Sequence, residues 1–299
     1  MNNIKTNFSI KDLEHLSGVK AHTIRIWEKR YNLFQPKRTD TNIRFYSLES
    51  LQKLLNVTFL YNHGYKISKI AKIDKDEIAT IVREMAINDN TDEQAMNAFK
   101  LSMLNFDKVL FLNTYDNLLN EKTFSDIFYE IFIPLMNDIG LLWQTNTITP
   151  AQEHFISELI LQKTLVNTEK LQKKEHKNDS KAFVLYLPEN EIHDLGLHFL
   201  NYELVSQEYH TIYLGTTVPI KSLTDVLKHY KRLIFISYFT IKPERDQIDS
   251  YLTKFFETIL KENNHELWVL GRMTEFINEN SLPPRIKIFN SIKNLVKEV

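Results

Sequence analysis

From Lys181 onward the hydrophobic pattern leaves few folds open. Five apolar runs, FVLYL, YHTIYLG, LIFISYF, ELWVLG and IKIF, alternate with stretches long enough for helices at 192–207, 220–230, 244–262, 273–279 and 290–298. Five such units predict a parallel sheet with helices on both faces, because continuous apolar strands must be covered on both sides. Ligands of open parallel sheets bind beyond the carboxyl ends of the strands. His193, Ser237 and Gly271 fall on that rim, and Pro219 suits the first turn of the second helix.

Residues 75–177 carry helical periodicity instead, with helices expected at 76–87, 92–105, 106–119, 123–142 and 150–176. Pro134 should bend the fourth, Pro150 should open the last, and NDNTDEQ at 88–94 is a polar joint. A four-helix bundle over 76–177 is the expected arrangement. Adjacent Glu153 and His154 do not share a helical face by spacing alone, so on their own they carry no chemistry.

The 299 residues have a formal net charge of −1, and its distribution is uneven. Residues 1–80 hold 14 Lys and Arg against 8 Asp and Glu, a net of +6, which leaves −7 for the rest. A basic amino-terminal module is what binding to a phosphate backbone requires. The absence of cysteine excludes disulfides, thiolate metal sites and cysteine nucleophiles. No apolar run reaches membrane-spanning length and MNNIKTNFSI has no signal-peptide core, so a cytoplasmic protein without a membrane partner is expected.

Within that basic module, SIKD fits an N-cap with an acid three residues on, and Ile10, Leu13 and Leu16 stripe a short helix closed by Gly18. AHTIRIWEKRY resumes helical spacing, which makes a helix-turn-helix. Pro36 ends it, and KRTDTNIRFY places Asp40 and Asn42 at a turn between two extended arms. A further helix runs from Ser47 to Gly64, and Trp27 and Phe45 are expected in the core. Residues 22–47, HTIRIWEKRYNLFQPKRTDTNIRFYS, resemble the MerR superfamily of winged-helix regulators. The resemblance implies a DNA-binding domain over 1–75, homodimers on palindromic promoter DNA, and contacts from Thr23, Arg25, Arg30, Tyr31, Arg38, Arg44 and Tyr46.

The loop after the first strand reads NEIHDLG. Its ExHxxG resembles the DxHxxG signature of cobalamin-binding domains of flavodoxin-like fold, in which the histidine coordinates cobalt from below. Carried over, His193 is the metal ligand, Glu191 its carboxylate partner and Gly196 the third member, with 181–299 as the cobalamin-binding-like domain. Such domains line a slot for the nucleotide tail with Ser-x-Leu and Gly-Gly. This chain has Ser237-Tyr238-Phe239 and Gly271-Arg272, so Phe replaces Leu and the second glycine is an arginine that either obstructs the tail or turns outward. Trp143 with Glu153-His154 resembles the helical cap of light-responsive adenosylcobalamin regulators, where these residues face the upper side of the corrin. Those regulators have a histidine after the tryptophan; here it is Gln144.

GxGxxG and Walker A motifs are missing, and Ser237 stands where a receiver domain would carry its phosphoacceptor aspartate. A substrate barrel is also missing, which separates this pattern from corrinoid enzymes and leaves a regulator, a repressor by resemblance, with adenosylcobalamin as cofactor. Clamping of that cofactor between cap and α/β domain would shift the dimer toward a tetramer. A second reading keeps the architecture and answers to a protein antagonist, or to no ligand.

Overall fold

The computed structural model describes residues 7–39, 41–74, 77–78, 80–82, 92–144, 148–172 and 178–299, without the side chains of 15, 48, 141–144 and 178–180. It divides into two compact units, Met1–Ile160 and Leu161–Val299.

The first unit opens with β1 (Asn7–Phe8) and α1 (Ile10–Ser17). Ser9 and Asp12 close a reciprocal capping box, the Ser9 amide donating to Asp12 at 2.6 Å and the Asp12 amide to the Ser9 hydroxyl at 3.2 Å. Gly18 ends α1 at φ 70, and Asn32 ends α2 (Ala21–Tyr31) at φ 50, both left-handed caps. The wing is a hairpin of β2 (Lys37–Arg38) and β3 (Arg44–Ser47), with Arg38 opposite Arg44. β1 pairs with the other edge of β3, giving the order β1-β3-β2. Two residues are too few to show strand alternation, which is why β1 is invisible in the sequence pattern. Trp27 is buried, as expected, while Phe45 is only half-buried on the hairpin.

Helices α3 (Leu48–Asn62) and α4 (Ile67–Ile70) complete this region. The helix expected at 76–87 lies largely outside the described residues. Next come α5 (Asp92–Asn105), α6 (Lys108–Leu118) and α7 (Phe124–Ile127), the last passing through a π-helical turn (Phe128–Phe132) into α8 (Ile133–Gln144). There the Ile133 amide donates to the Phe128 carbonyl, five residues back. Pro134 has no amide to continue the four-residue ladder, so the expected perturbation is taken up as a wider turn just before it. Phe99, Phe111 and Phe132 are fully buried, with ring centroids 5.0 and 5.4 Å from Phe99. α9 (Pro150–Leu171) starts on proline and runs across the boundary between the units.

The second unit is a five-stranded parallel sheet: β4 (Asn178–Tyr186), β5 (Tyr209–Gly215), β6 (Leu233–Tyr238), β7 (Glu266–Leu270) and β8 (Ile286–Phe289), in the order β5-β4-β6-β7-β8. This is the flavodoxin-like order, and its switch point lies between β4 and β6. α10 (Leu195–Ser206) and α13 (Ile292–Glu298) pack together on one face. The other face buries Val184, Tyr186, Phe235 and Val269 against Ile220, Leu223, Ile248, Leu252 and Phe255, the last three from α12 (Ile248–Phe255). Two expected helices are shorter than their stretches. Residues 220–230 give a 3₁₀ turn (Ile220–Leu223) and one α-helical turn, α11 (Thr224–Leu227), and 273–279 gives 3₁₀ turns at Arg272–Phe276 and Glu279–Ser281. So few residues do not offset the nucleation cost of a regular helix.

Candidate functional site

Two sites emerge, one in each unit. In the first, α2 and the wing enclose a cleft of about 720 Å³ lined by Arg25, Lys29, Arg38 and Arg44, with Glu28, Asn32, Phe34, Gln35 and Pro36. Four cations face one carboxylate, which is an anion-binding balance. Glu28 ties the two arms together: its carboxylate accepts from Arg44 Nε at 3.3 Å and from the Tyr46 hydroxyl at 2.9 Å. Tyr46 is 1% exposed, and burial followed by the Glu28 carboxylate pushes its phenol well above the usual range. It is therefore placed as a brace under the wing. Arg25 and Arg38 are exposed, and Arg38 is steadied by Asn42 at 2.6 Å. Thr23 and Tyr31 are half-buried, and the exposed Arg30 sits over the Tyr31 ring outside the cleft lining. Lys29, a basic position of the second helix in the sequence, and Glu28 were not among the expected DNA contacts, although Lys29 is four residues after Arg25 and so shares its face.

Farther along this unit, Thr149 and Gln152 form a further capping box (3.1 and 3.0 Å), which fixes the start of α9. The buried Gln152 amide also donates to the Leu104 carbonyl at 3.2 Å. Glu153 and His154 do meet, His154 Nδ1 lying 3.2 Å from Glu153 Oε2, which corrects the expectation from spacing alone. His154 is exposed. Trp143 and Gln144 fall on the last turn of α8, and their side chains lie outside the described residues.

In the second unit the loop after β4 holds a buried carboxylate with partners in two loops. Glu191 is 0% exposed. One carboxylate oxygen accepts from the amides of Ile192 (2.9 Å) and His193 (3.0 Å) and lies 2.7 Å from His193 Nδ1. The other accepts from the amides of Ile241 (2.7 Å) and Lys242 (2.8 Å), in the loop after β6. One side chain thus stitches together the two loops that flank the switch point. The extra methylene of Glu over Asp serves that span. Burial opposes ionisation of Glu191, but the hydrogen bonds from His193 and from the Ile241, His193 and Lys242 amides outweigh it and hold the pKa at about 2. A carboxylate only accepts, so Nδ1 of His193 carries the proton and the lone pair is on Nε2, the nitrogen that a metal takes. The imidazole is half-exposed, and beside it Ile192 and Ile241 are 67% and 49% exposed. An imidazole oriented in this way on an apolar rim could ligate a metal through Nε2.

The positions for the nucleotide tail do not fit in the same way. Ser237 is 0% exposed and its hydroxyl donates to the Tyr186 carbonyl at 3.0 Å. Phe239 is also fully buried. Gly271 has φ 107, and a Cβ there would lie 2.5 Å from the Phe239 carbonyl oxygen, so only glycine serves. Gly196 lies under Tyr238, whose ring would be 2.8 Å from an added Cβ. Of the two dispositions open to Arg272, the structure takes the outward one: the residue is exposed.

Against this geometry the comparisons with known proteins can be set. The profile described as "MerR HTH family regulatory protein" matches residues 8–77, and that described as "B12 binding domain" matches 95–164. Residues 8–77 therefore form a domain of MerR type. This domain is fused to a carboxy-terminal half of cobalamin-binding type. Two Myxococcus xanthus proteins are similar to most of the chain. HTH-type transcriptional repressor CarH is 27% identical over 224 residues, covering 72% of this chain and 73% of the relative. HTH-type transcriptional repressor CarA is 24% identical over 219 residues, covering 72% and 70%. Among solved structures, the Methanosarcina barkeri monomethylamine corrinoid protein shares the fold, with 13% identity, 73% of this chain and 94% of that chain covered, and a TM-score of 0.52.

Proposed function

We propose that this MerR-type protein is a transcriptional repressor whose carboxy-terminal half senses an adenosylated corrinoid, adenosylcobalamin in the first instance, and through it light. The observation that carries the reading is the Glu191–His193 pair on an apolar rim at the switch point of the sheet, in the same chain as a four-cation cleft between α2 and the wing. When bound, the corrinoid supplies a cobalt–carbon bond that light cleaves. His193 Nε2 would hold the metal, and Glu191 would fix the imidazole and its tautomer. Trp143, Glu153 and His154 are further proposed contacts of the cofactor. Corrinoid binding favours a larger assembly, dimer to tetramer, and joining more DNA-binding domains strengthens operator binding without any new contact.

The second reading, a regulator that answers to a protein antagonist instead, is favoured by Gln144, since an amide is a poor substitute for imidazole on cobalt. One experiment separates the two. Purified protein is mixed with adenosylcobalamin in the dark, its visible spectrum and size are recorded, and both are recorded again after illumination. The corrinoid reading predicts a co-eluting chromophore and a light-dependent change in size. Protein that elutes colourless and unchanged in size overturns it.

A further inference from the structure

Aromatic side chains crowd the positions that the resemblance assigns to a nucleotide tail, Ser237, Phe239 and Gly271. On one face of the sheet the Tyr238 ring lies directly over Gly196. On the other, the Tyr186 and Tyr251 hydroxyls pair at 3.0 Å, Phe239 meets Tyr251 edge-on at 5.6 Å, and Tyr186 stacks on Phe255 at 6.0 Å. Tyr186, Phe239 and Phe255 are all fully buried, and Ser237 beneath them spends its hydroxyl on the chain's own carbonyl. Close-packed aromatic interiors of this kind admit no second occupant without displacement of whole rings. By contrast, the His193 imidazole and the flanking Ile192 and Ile241 are exposed. The rim is open while the interior below it is closed.

We infer that this chain binds corrinoids by the ring, with any nucleotide arm left outside the protein, so that it is indifferent to the tail. The inference rests on the corrinoid reading above and specifies the class of ligand. In a free cobalamin the base of the arm already coordinates the lower face, and His193 can take that position only by displacing it. A displaced arm with no place in the interior gains nothing in return for the bond it gives up. A cobinamide, which ends before the nucleotide, asks His193 to displace only water. Tail-less and tailed corrinoids therefore bind alike, or the tail-less one binds more tightly.

The test is a spectroscopic titration of the full chain, in the dark, with adenosylcobinamide and with adenosylcobalamin, repeated on His193→Ala. The expected result is a Kd for adenosylcobinamide equal to or below that for adenosylcobalamin, with both raised at least about tenfold in His193→Ala, the loss of one good contact. A preference for adenosylcobalamin beyond about tenfold overturns the inference while leaving the corrinoid reading in place. Failure of both ligands to bind overturns the corrinoid reading, and the inference falls with it.

Discussion

Two carboxylates organise the candidate sites, and each works by holding other groups. Glu191 is ionised inside the protein because its hydrogen bonds outweigh its burial. Its folded pKa of about 2 lies below the ordinary value, so its stabilisation is present above about pH 4.5 and is lost as the pH falls toward 2. Glu191→Gln should therefore lower stability by about 3 kcal/mol at neutral pH. The gap between wild type and variant should shrink as acid is added, measured by urea unfolding from pH 7 to pH 3; a gap independent of pH would show that the charge is not what matters. Glu28 binds the wing through Arg44 and Tyr46. Tyr46→Phe removes one hydrogen bond, about 1 kcal/mol of stability, and should weaken DNA binding without altering its salt dependence. Arg25→Ala should instead reduce the slope of log affinity against log salt by about one unit. Equal slopes for wild type and Arg25→Ala in a fluorescence titration would remove Arg25 from the phosphate contacts.

At the scale of elements, the strongest constraints are at the ends. The Thr149–Gln152 capping box and Pro150 set where α9 begins and so place Glu153 and His154. Thr149→Ala should cost about 1 kcal/mol in thermal or chemical unfolding. Gly271 joins β7 to the following turn at φ 107 with the Phe239 backbone against its α carbon. Gly271→Ala should destabilise by more than about 2 kcal/mol, and a neutral outcome would mean that the β6 and β7 ends can separate. The apolar runs already predict these strands, because a buried parallel strand has no polar alternation to obscure it. The helix-turn-helix is equally legible through its capping box and Gly18. Pairings formed across the fold are different: no local spacing reveals that Glu28 meets Tyr46, that Glu191 reaches the loop after β6, or that Tyr186 and Tyr251 close the interior. For the same reason the outward disposition of Arg272 needed coordinates, since both dispositions agree with the sequence.

Across the whole molecule, a basic DNA-binding domain is paired with an acidic remainder, and the division of charge matches the division of labour. Residues 1–80 carry +6 and the rest −7, of which residues 81–150 hold −6, so the phosphates that would attract the wing repel chiefly that middle segment. Among the described residues no helix is long and apolar enough to cross a membrane. A sensor of the proposed design would act through occupancy: whatever binds one assembly state better would shift the population toward it, and DNA affinity would follow. The most direct measurement is the affinity of the full chain for its operator, in the dark, with and without a saturating adenosylated corrinoid, for wild type and His193→Ala. The account predicts that the corrinoid strengthens DNA binding of the wild type by about tenfold or more, that illumination abolishes the gain, and that His193→Ala shows none. DNA affinity in the wild type that is the same with and without bound corrinoid would contradict it.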